Sequence, residues 1–292
     1  MKCTLSVIVP VYNSAPYLTR LFDSLKAQTW QDYELIVVND GSTDTSEQII
    51  LEYSHFFGDR MVYCIQKNMG VAAARNTGLE CASGQYISFI DSDDYVQPTF
   101  FERMLHEIYD SDIITCGVTV VQNGTICEHD TVSQNFTESG FDLARDSLQR
   151  KKAAHVLWNK IYKRELFDNF RFIEGYMFED MYACAIVPLS ANTVAYIDEE
   201  LYVYCRREDS LSASVTDKKM ADLAYLATKV VEIYAANGAL FYLADALMTL
   251  VGGIIETICK YYVKDLITTS AFKSIICDLL ATKKRLKKLN SR

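Results

Sequence analysis

The chain of 292 residues predicts an α/β fold, a mainly parallel sheet covered by helices and followed by a helical C-terminal region. Three observations carry this expectation. Over the first hundred residues, short apolar runs of strand length alternate with segments of helical spacing. An acidic cluster, Asp91-Ser92-Asp93-Asp94, follows directly on the apolar run Tyr86–Ile90. Beyond Lys218 the short runs give way to long helical stripes.

In order, Leu5–Val11 reads as a buried strand, and Tyr17, Leu18, Leu21, Phe22 and Leu25 are spaced for one face of a helix. Leu35–Val38 is a second strand. A second helix is expected from about Asp44, with Glu47 three residues on in capping-box fashion and Ile49, Ile50 and Tyr53 on its apolar face. Met61–Ile65, Gly70–Leu79 and Tyr86–Ile90 then give a strand, a helix and a strand, and Pro98 with Phe100, Phe101, Met104 and Leu105 opens another helix. Strands joined through helices run parallel, and helices cover both faces of such a sheet.

A chain that is 50% hydrophobic can bury a substantial core. Its nine cysteines include no C-x-x-C pair and read as reduced core residues of a cytosolic protein. The formal charge of −9 argues against a nucleic-acid partner. That charge is uneven, because Lys283–Arg292 holds six basic residues and no acid, leaving 23 Lys and Arg against 38 Asp and Glu, or −15, on the rest. A basic tail on an acidic body suits attraction to an anionic membrane surface, at about 1 kcal/mol per side chain, and equally suits a solvated terminus. Met1-Lys2-Cys3 runs straight into Leu5–Val9, which Pro10 cuts short, so no signal peptide is expected. The most apolar stretch, Ala239–Ile258, contains Asp245, Glu256 and Gly252-Gly253 and is no clean membrane span.

The cluster at residues 91–94 stands where open α/β sheets place ligands, outside the carboxyl ends of strands. Adjacent carboxylates repel unless a cation, a proton or a ligand hydroxyl compensates them, and hard oxygen donors suit Mg²⁺ or Mn²⁺. Helix capping is the competing account. No G-x-G-x-x-G follows the first strand and no P-loop occurs, so phosphate is gripped otherwise than by a glycine-rich turn. G-x-S-x-G and H-E-x-x-H are also missing, and His55, His106, His129 and His155 share no ligand spacing.

Four blocks, Ser6-Val7-Ile8-Val9-Pro10-Val11-Tyr12-Asn13, Val37-Val38-Asn39-Asp40-Gly41-Ser42-Thr43-Asp44, Asn68-Met69-Gly70-Val71-Ala72-Ala73-Ala74-Arg75-Asn76-Thr77-Gly78 and Ile90-Asp91-Ser92-Asp93-Asp94, resemble in order the blocks of family-2 glycosyltransferases with the GT-A fold. The resemblance continues more loosely through Trp158-Asn159-Lys160-Ile161-Tyr162, Phe178-Glu179-Asp180 and Tyr204-Cys205-Arg206-Arg207. It implies a glycosyltransferase domain over 1–215, with a nucleotide-binding half at 1–95 and an acceptor-side half at 96–215, ahead of a helical region at 216–292.

The resemblance also implies roles. Asp40 holds the uracil of a UDP-sugar, with Pro10, Tyr12 and Asn13 in the same nucleotide wall and Gly70 in the small-residue helix beside it. Asp91 meets the ribose hydroxyls, Ser92 lies between, and Asp93 holds the Mn²⁺ or Mg²⁺ ion; Asp94 acts behind them or as a cap. Asp180 is the general base of an inverting transfer, with Glu179–Asp180 as plain helix N-terminal acids the alternative. Arg75 lies against the nucleotide or, as a structural ion pair, on the acidic cluster. By their charge, Lys160 and the pair Arg206-Arg207 are expected to approach the diphosphate or an anionic acceptor, with a solvent-facing position the alternative.

The expected activity is transfer of a sugar, most naturally from a UDP-hexose, to a glycan or lipid-linked glycan in surface-polysaccharide assembly, by a cytoplasmic enzyme that can lie on the membrane. The rivals are a Mg²⁺-dependent phosphoryl- or nucleotidyl-transfer enzyme and an inactive nucleotide-sugar-binding subunit.

Overall fold

The computed structural model describes residues 4–108, 110–151, 154–207, 216–264 and 267–290. The chain forms two compact units, one of Met1–Ser139, Val156–Gly175 and Ala191–Arg207, the other of Gly140–His155, Tyr176–Ser190 and the described residues after 207. This division differs from a single cut after residue 215, since two segments of the expected 96–215 half belong to the helical unit.

In the first unit, β1 (Leu5–Val11), β2 (Tyr33–Asn39), β3 (Met61–Ile65) and β4 (Tyr86–Phe89) lie side by side in the order β3-β2-β1-β4, all parallel. Three helices connect them, α1 (Ala15–Lys26), α2 (Ser46–Phe57) and α3 (Val71–Cys81). The order follows from the sequence, because β1 is apolar at every position but Ser6 and every one of its residues is buried, as a central strand requires. α1 buries Leu18, Leu21, Phe22 and Leu25, the face that the spacing marks. α3 is made of small residues because it lies close on the sheet, and a Cβ added at Gly78 would overlap the Ile8 side chain.

The expected capping box of α2 is not formed. Asp44 accepts from the Ser46 amide at 3.0 Å and from the Ala15 amide at 3.0 Å, tying α2 to the start of α1, while Glu47 accepts from the Tyr63 hydroxyl.

Beyond residue 95 antiparallel strands join the parallel ones, so the sheet as a whole is mixed. β5 (Tyr95–Val96) leads into α4 (Phe100–Glu107), and then come β6 (Ile113–Gln122), β7 (Thr125–Asp130), β8 (Phe136–Glu138), β9 (Lys160–Lys163) and β10 (Val194–Arg206). β9 runs antiparallel between β4 and β6, β10 is parallel to β6, and β5, β7 and β8 are antiparallel to their neighbours. The hairpin of β6 and β7 turns on Asn123-Gly124, both at positive φ (51° and 77°), the conformation that lets a two-residue turn follow the strand twist.

In the helical unit, α5 (Gly140–Leu148) packs on α6 (Glu179–Ile186) and on α8 (Leu240–Val263), and α6 also packs on α7 (Asp217–Ala236). α9 (Thr269–Asn290) lies against α7 and α8. The early helices join this unit because Leu143, Ala144, Leu148, Tyr182 and Ala183 are buried in it. The Tyr234 hydroxyl of α7 donates to the Ala185 carbonyl at 2.6 Å. Among the described residues no helix is long and apolar enough to cross a membrane.

One buried carboxylate joins the N-terminal half of the sheet to β10. Asp94, fully buried, accepts from the Tyr202 hydroxyl at 2.8 Å and from the Cys205 amide at 2.7 Å, and the Tyr202 oxygen accepts in turn from the Asp91 amide at 3.2 Å. Burial, with Asp93 and Asp91 close by, holds the Asp94 carboxyl well above the usual carboxylate range; the two donors act the other way and do not win. A carboxyl whose pKa rises on folding favours the native state most below its unfolded pKa, about 3.9, and that contribution is lost as pH climbs through the folded value. The stability of wild type relative to Asp94→Asn should therefore fall as pH rises from about 4. Urea midpoints measured for both proteins across pH check this, and parallel curves would contradict it.

Candidate functional site

Because β1, β2 and β4 are parallel neighbours, their C-terminal ends lie along one edge of the sheet, and the residues that follow each strand are brought together there. Asn13 follows β1, Asp40 follows β2, and Asp91–Asp94 follow β4.

The first two connections are bound to each other. Asn13, at φ 49°, accepts through Oδ1 from the Thr43 amide at 2.7 Å, and its own amide donates to Ser42 Oγ at 3.0 Å. Gly41 has φ +72°, and a Cβ there would lie 2.8 Å from the Asn68 amide nitrogen, so the turn after Asp40 requires glycine. Pro10 is buried in β1, whereas Tyr12 is 49% exposed beside the edge.

Asp40 is buried and builds the next loop. Its carboxylate accepts from Gln66 Nε2 at 2.8 Å and from the amides of Met69 and Gly70 at 2.9 and 2.8 Å. Gly70, at φ 91°, is the residue from which α3 starts. A carboxylate offers about four acceptor positions, so these three bonds leave room for one more donor.

Asp91 and Asp93 each meet an arginine. Arg75, buried on α3, reaches Asp91 Oδ1 at 2.8 Å, with its guanidinium 5.7 Å from the centre of the Phe172 ring. Of the two roles open to Arg75 from the sequence, the structure forms the ion pair with the cluster. Arg207 reaches Asp93 Oδ2 at 2.8 Å and lies over the Tyr17 ring at 4.7 Å. Arg20 of α1 donates to the Asp93 backbone carbonyl at 2.6 Å. Burial, followed by the neighbouring Asp91, raises the Asp93 pKa, against the lowering effect of Arg207 and Arg20. Ser92 shares a hydrogen bond of 2.7 Å with Ser14 Oγ, which fastens the acidic loop to the residue before α1.

Two expected cations lie elsewhere. Lys160 is 1% exposed, and its ammonium donates to the Val156 carbonyl at 2.6 Å and to Asn159 Oδ1 at 2.7 Å. It is a buried bracket at the start of β9 and not an open diphosphate contact, because β9 is an interior strand between β4 and β6. Arg206 pairs with Glu128 of β7 at 3.0 Å. Arg207, the residue after β10, is the member of the pair that turns to the cluster. Arg20 and Tyr17, both on α1, are the site residues that sequence reasoning passed over, because α1 was read only for its apolar face; Arg207 was expected together with Arg206, and it is the member of that pair that reaches the acidic loop.

Asp180 lies in the helical unit, in the first turn of α6, where its Oδ1 accepts from the Met181 amide at 2.7 Å. The residue before α6, Phe178, holds φ 67°, a left-handed conformation costly for a bulky side chain and concentrated at functional positions. Among the described residues no three His, Cys, Asp or Glu side chains converge as a ready-made metal cage.

The family model described as glycosyl transferase family 2 matches residues 6–171. Glycosyltransferase GlyA of Streptococcus pneumoniae is 35% identical over 245 residues, which cover 80% of this chain and 35% of GlyA. Glycosyltransferase GlyG of the same species is 31% identical over 238 residues, 76% of this chain and 77% of that one. The putative glycosyltransferase EpsH of Bacillus subtilis is 32% identical over 206 residues, 68% of this chain and 60% of its own length. The chain thus spans less than two thirds of GlyA and of EpsH. The crystal structure of S. aureus TarS 1–349 in complex with UDP superposes with a TM-score of 0.68 at 20% identity, covering 98% of this chain and 90% of that one. The complex of the same protein with UDP-GlcNAc gives 0.67 at 21%. These likenesses make the fold GT-A in type. With a matched segment that takes in more than half of the residues, including Asp40, Arg75 and Asp91–Asp94, the chain belongs to glycosyl transferase family 2.

Proposed function

We propose that the chain transfers a sugar, with inversion, from a UDP-hexose to a hydroxyl of a glycan or lipid-linked glycan in surface-polysaccharide assembly. The observation that carries this reading is the meeting of Asp40, Asp91 and Asp93 at one edge of a parallel sheet, within the segment matched by the family. The relatives named as glycosyltransferases and the UDP and UDP-GlcNAc complexes of TarS support the donor class.

In this reading Asp40 takes the uracil N–H with its remaining acceptor position, and Asp91 takes the ribose hydroxyls. Pro10, Tyr12, Asn13 and Gly70 line the nucleotide. The acidic loop fits a divalent cation: Asp91 and Asp93 offer hard oxygens, and the raised Asp93 pKa means that its charged form gains from added positive charge. Mg²⁺ is commonly bound by one or two carboxylates with substrate phosphates and water, so a three-residue cage is not needed. Bound there, the cation supplies charge that stabilises the departing diphosphate.

Asp180 accepts the proton of the attacking hydroxyl. The hydroxyl oxygen bonds to the anomeric carbon from the face opposite UDP, and the bond to the β-phosphate oxygen breaks with its electron pair leaving on UDP. Phosphoryl transfer, the rival weighed from the sequence, has no comparable support once the family is known. The basic end of α9, from Lys283 to Lys288, places the enzyme on an anionic membrane face in the same reading.

A panel of nucleotide sugars assayed for Mn²⁺-dependent UDP release tests the activity. Asp93→Asn should abolish Mn²⁺-dependent UDP binding in calorimetry while leaving Tm nearly unchanged, and an unaltered affinity would remove Asp93 from the site. Asp180→Asn should lower kcat by about 10²–10⁴-fold with UDP affinity retained; turnover at the wild-type rate would exclude it as the base. Sedimentation with vesicles should recover the protein with anionic but not with neutral lipid, and equal recovery would remove the membrane from the proposal.

A further inference from the structure

The Arg207–Asp93 pair is more than a surface contact. Both side chains are largely covered, 29% and 21% exposed, and the guanidinium is held on two sides, by Asp93 Oδ2 at 2.8 Å and by the Tyr17 ring at 4.7 Å. Arg20 fixes the backbone of the same residue by donating to the Asp93 carbonyl, which leaves the carboxylate itself to Arg207. Arg75 takes the other partly exposed acid of the loop, Asp91. Each of these two carboxylates therefore already has a protein counter-ion.

The geometry points to Arg207 as a resident cation that competes with a divalent metal ion for Asp93, so that the metal binds weakly alone and firmly only together with a nucleoside diphosphate. This rests on the reading of Asp93 as the cation ligand. A divalent ion on that carboxylate would stand at about 2.0–2.6 Å from its oxygen, and the guanidinium already lies 2.8 Å from Oδ2. Two cations crowded on one carboxylate repel each other, so the ion has to displace Arg207 or share Asp93 at a loss. A diphosphate brings enough negative charge to offset both. Metal and nucleotide then raise each other's affinity by one common factor, as linkage requires, and the Arg207–Asp93 pair sets the size of that factor.

The test is Mn²⁺ binding to the full chain at pH 8, read from the electron paramagnetic resonance signal of free Mn²⁺, first without nucleotide and then with UDP. Arg207→Gln should bind Mn²⁺ about tenfold more tightly than wild type without UDP, the scale of effect of one close opposite charge on a carboxylate. UDP should then tighten Mn²⁺ binding less in the variant than in wild type. Arg207→Lys, which keeps the charge, should stay close to wild type. Tyr17→Ala, which removes only the aromatic support, should shift Mn²⁺ affinity in the same direction by less, and it stands in should Arg207→Gln fail to fold.

Mn²⁺ affinity in Arg207→Gln equal to or weaker than wild type, or no gain in a folded Tyr17→Ala when it stands in, overturns the inference provided that Asp93→Asn still abolishes binding. Mn²⁺ binding that survives Asp93→Asn overturns the metal reading beneath it.

Discussion

The buried carboxylate of Asp94 is the constraint on which the strand-edge cluster depends. It follows Asp91 and Asp93, which are partly exposed at the sheet edge, and itself turns inward. There it receives a hydroxyl from Tyr202 and an amide from Cys205. Both donors belong to β10, and the same hydroxyl oxygen receives the Asp91 amide. Sequence-distant residues are thus fixed at both ends of one short chain of hydrogen bonds. Cys205 stands two residues before Arg207, so the bond that anchors β10 also sets where the guanidinium arrives. Trp158 stacks on Tyr202 with ring centres 4.3 Å apart and on Tyr204 at 5.4 Å, which backs this end of β10 from one side. Burying a carboxyl is expensive, and its raised pKa records that cost. What the cost secures is a fixed relation between the acidic loop and the strand that carries its counter-ion.

Around that anchor, charge is balanced pair by pair. Asp91 meets Arg75 and Asp93 meets Arg207, so each of these two carboxylates has a protein counter-ion. Density of acids in the sequence therefore does not by itself argue for a metal; the arginines answer the repulsion first. In the proposed reading the case for a cation rests on the hard carboxylate oxygens that Asp91 and Asp93 bring to the strand ends. Asp94 differs in kind from its neighbours, because its partners are neutral and it is closed off from solvent.

How much of this could be seen in the residues alone varied with the physics of each element. The βαβ alternation of the first ninety residues was legible because each strand is mostly apolar and α1 shows one apolar stripe, and β1 to β4 and α1 to α3 stand where the pattern puts them. The turn at Gly41 was legible too, since a positive φ leaves few residue choices. The second half was less so. Asn123-Gly124 is a hairpin signal read only in hindsight, and the antiparallel strands around it make the sheet mixed. The surroundings of Lys160 were not legible, because one basic residue in an apolar strand says nothing of whether its ammonium leaves the sheet or bends back onto Val156 and Asn159. α5 and α6 joined the helical unit because of long-range packing, to which local periodicity is blind.

In the proposed reading Asp40 serves the scaffold and a ligand together. Its bonds to the amides of Met69 and Gly70 fix the loop that starts α3, and α3 in turn carries Arg75 to Asp91. An acceptor chosen only to recognise a base could sit on a mobile side chain; an acceptor already held by three donors cannot move, and its remaining lone pair is aimed before any ligand arrives. Such preorganisation lowers the ordering cost of binding, and it ties the position of Arg75 to the same carboxylate. Replacing Asp40 would therefore disturb two points of the strand edge at once, and loss of nucleotide affinity in such a variant would not by itself separate recognition from loop building. Asp93 is the cleaner probe, since its side chain meets Arg207 and no backbone amide outside its own loop.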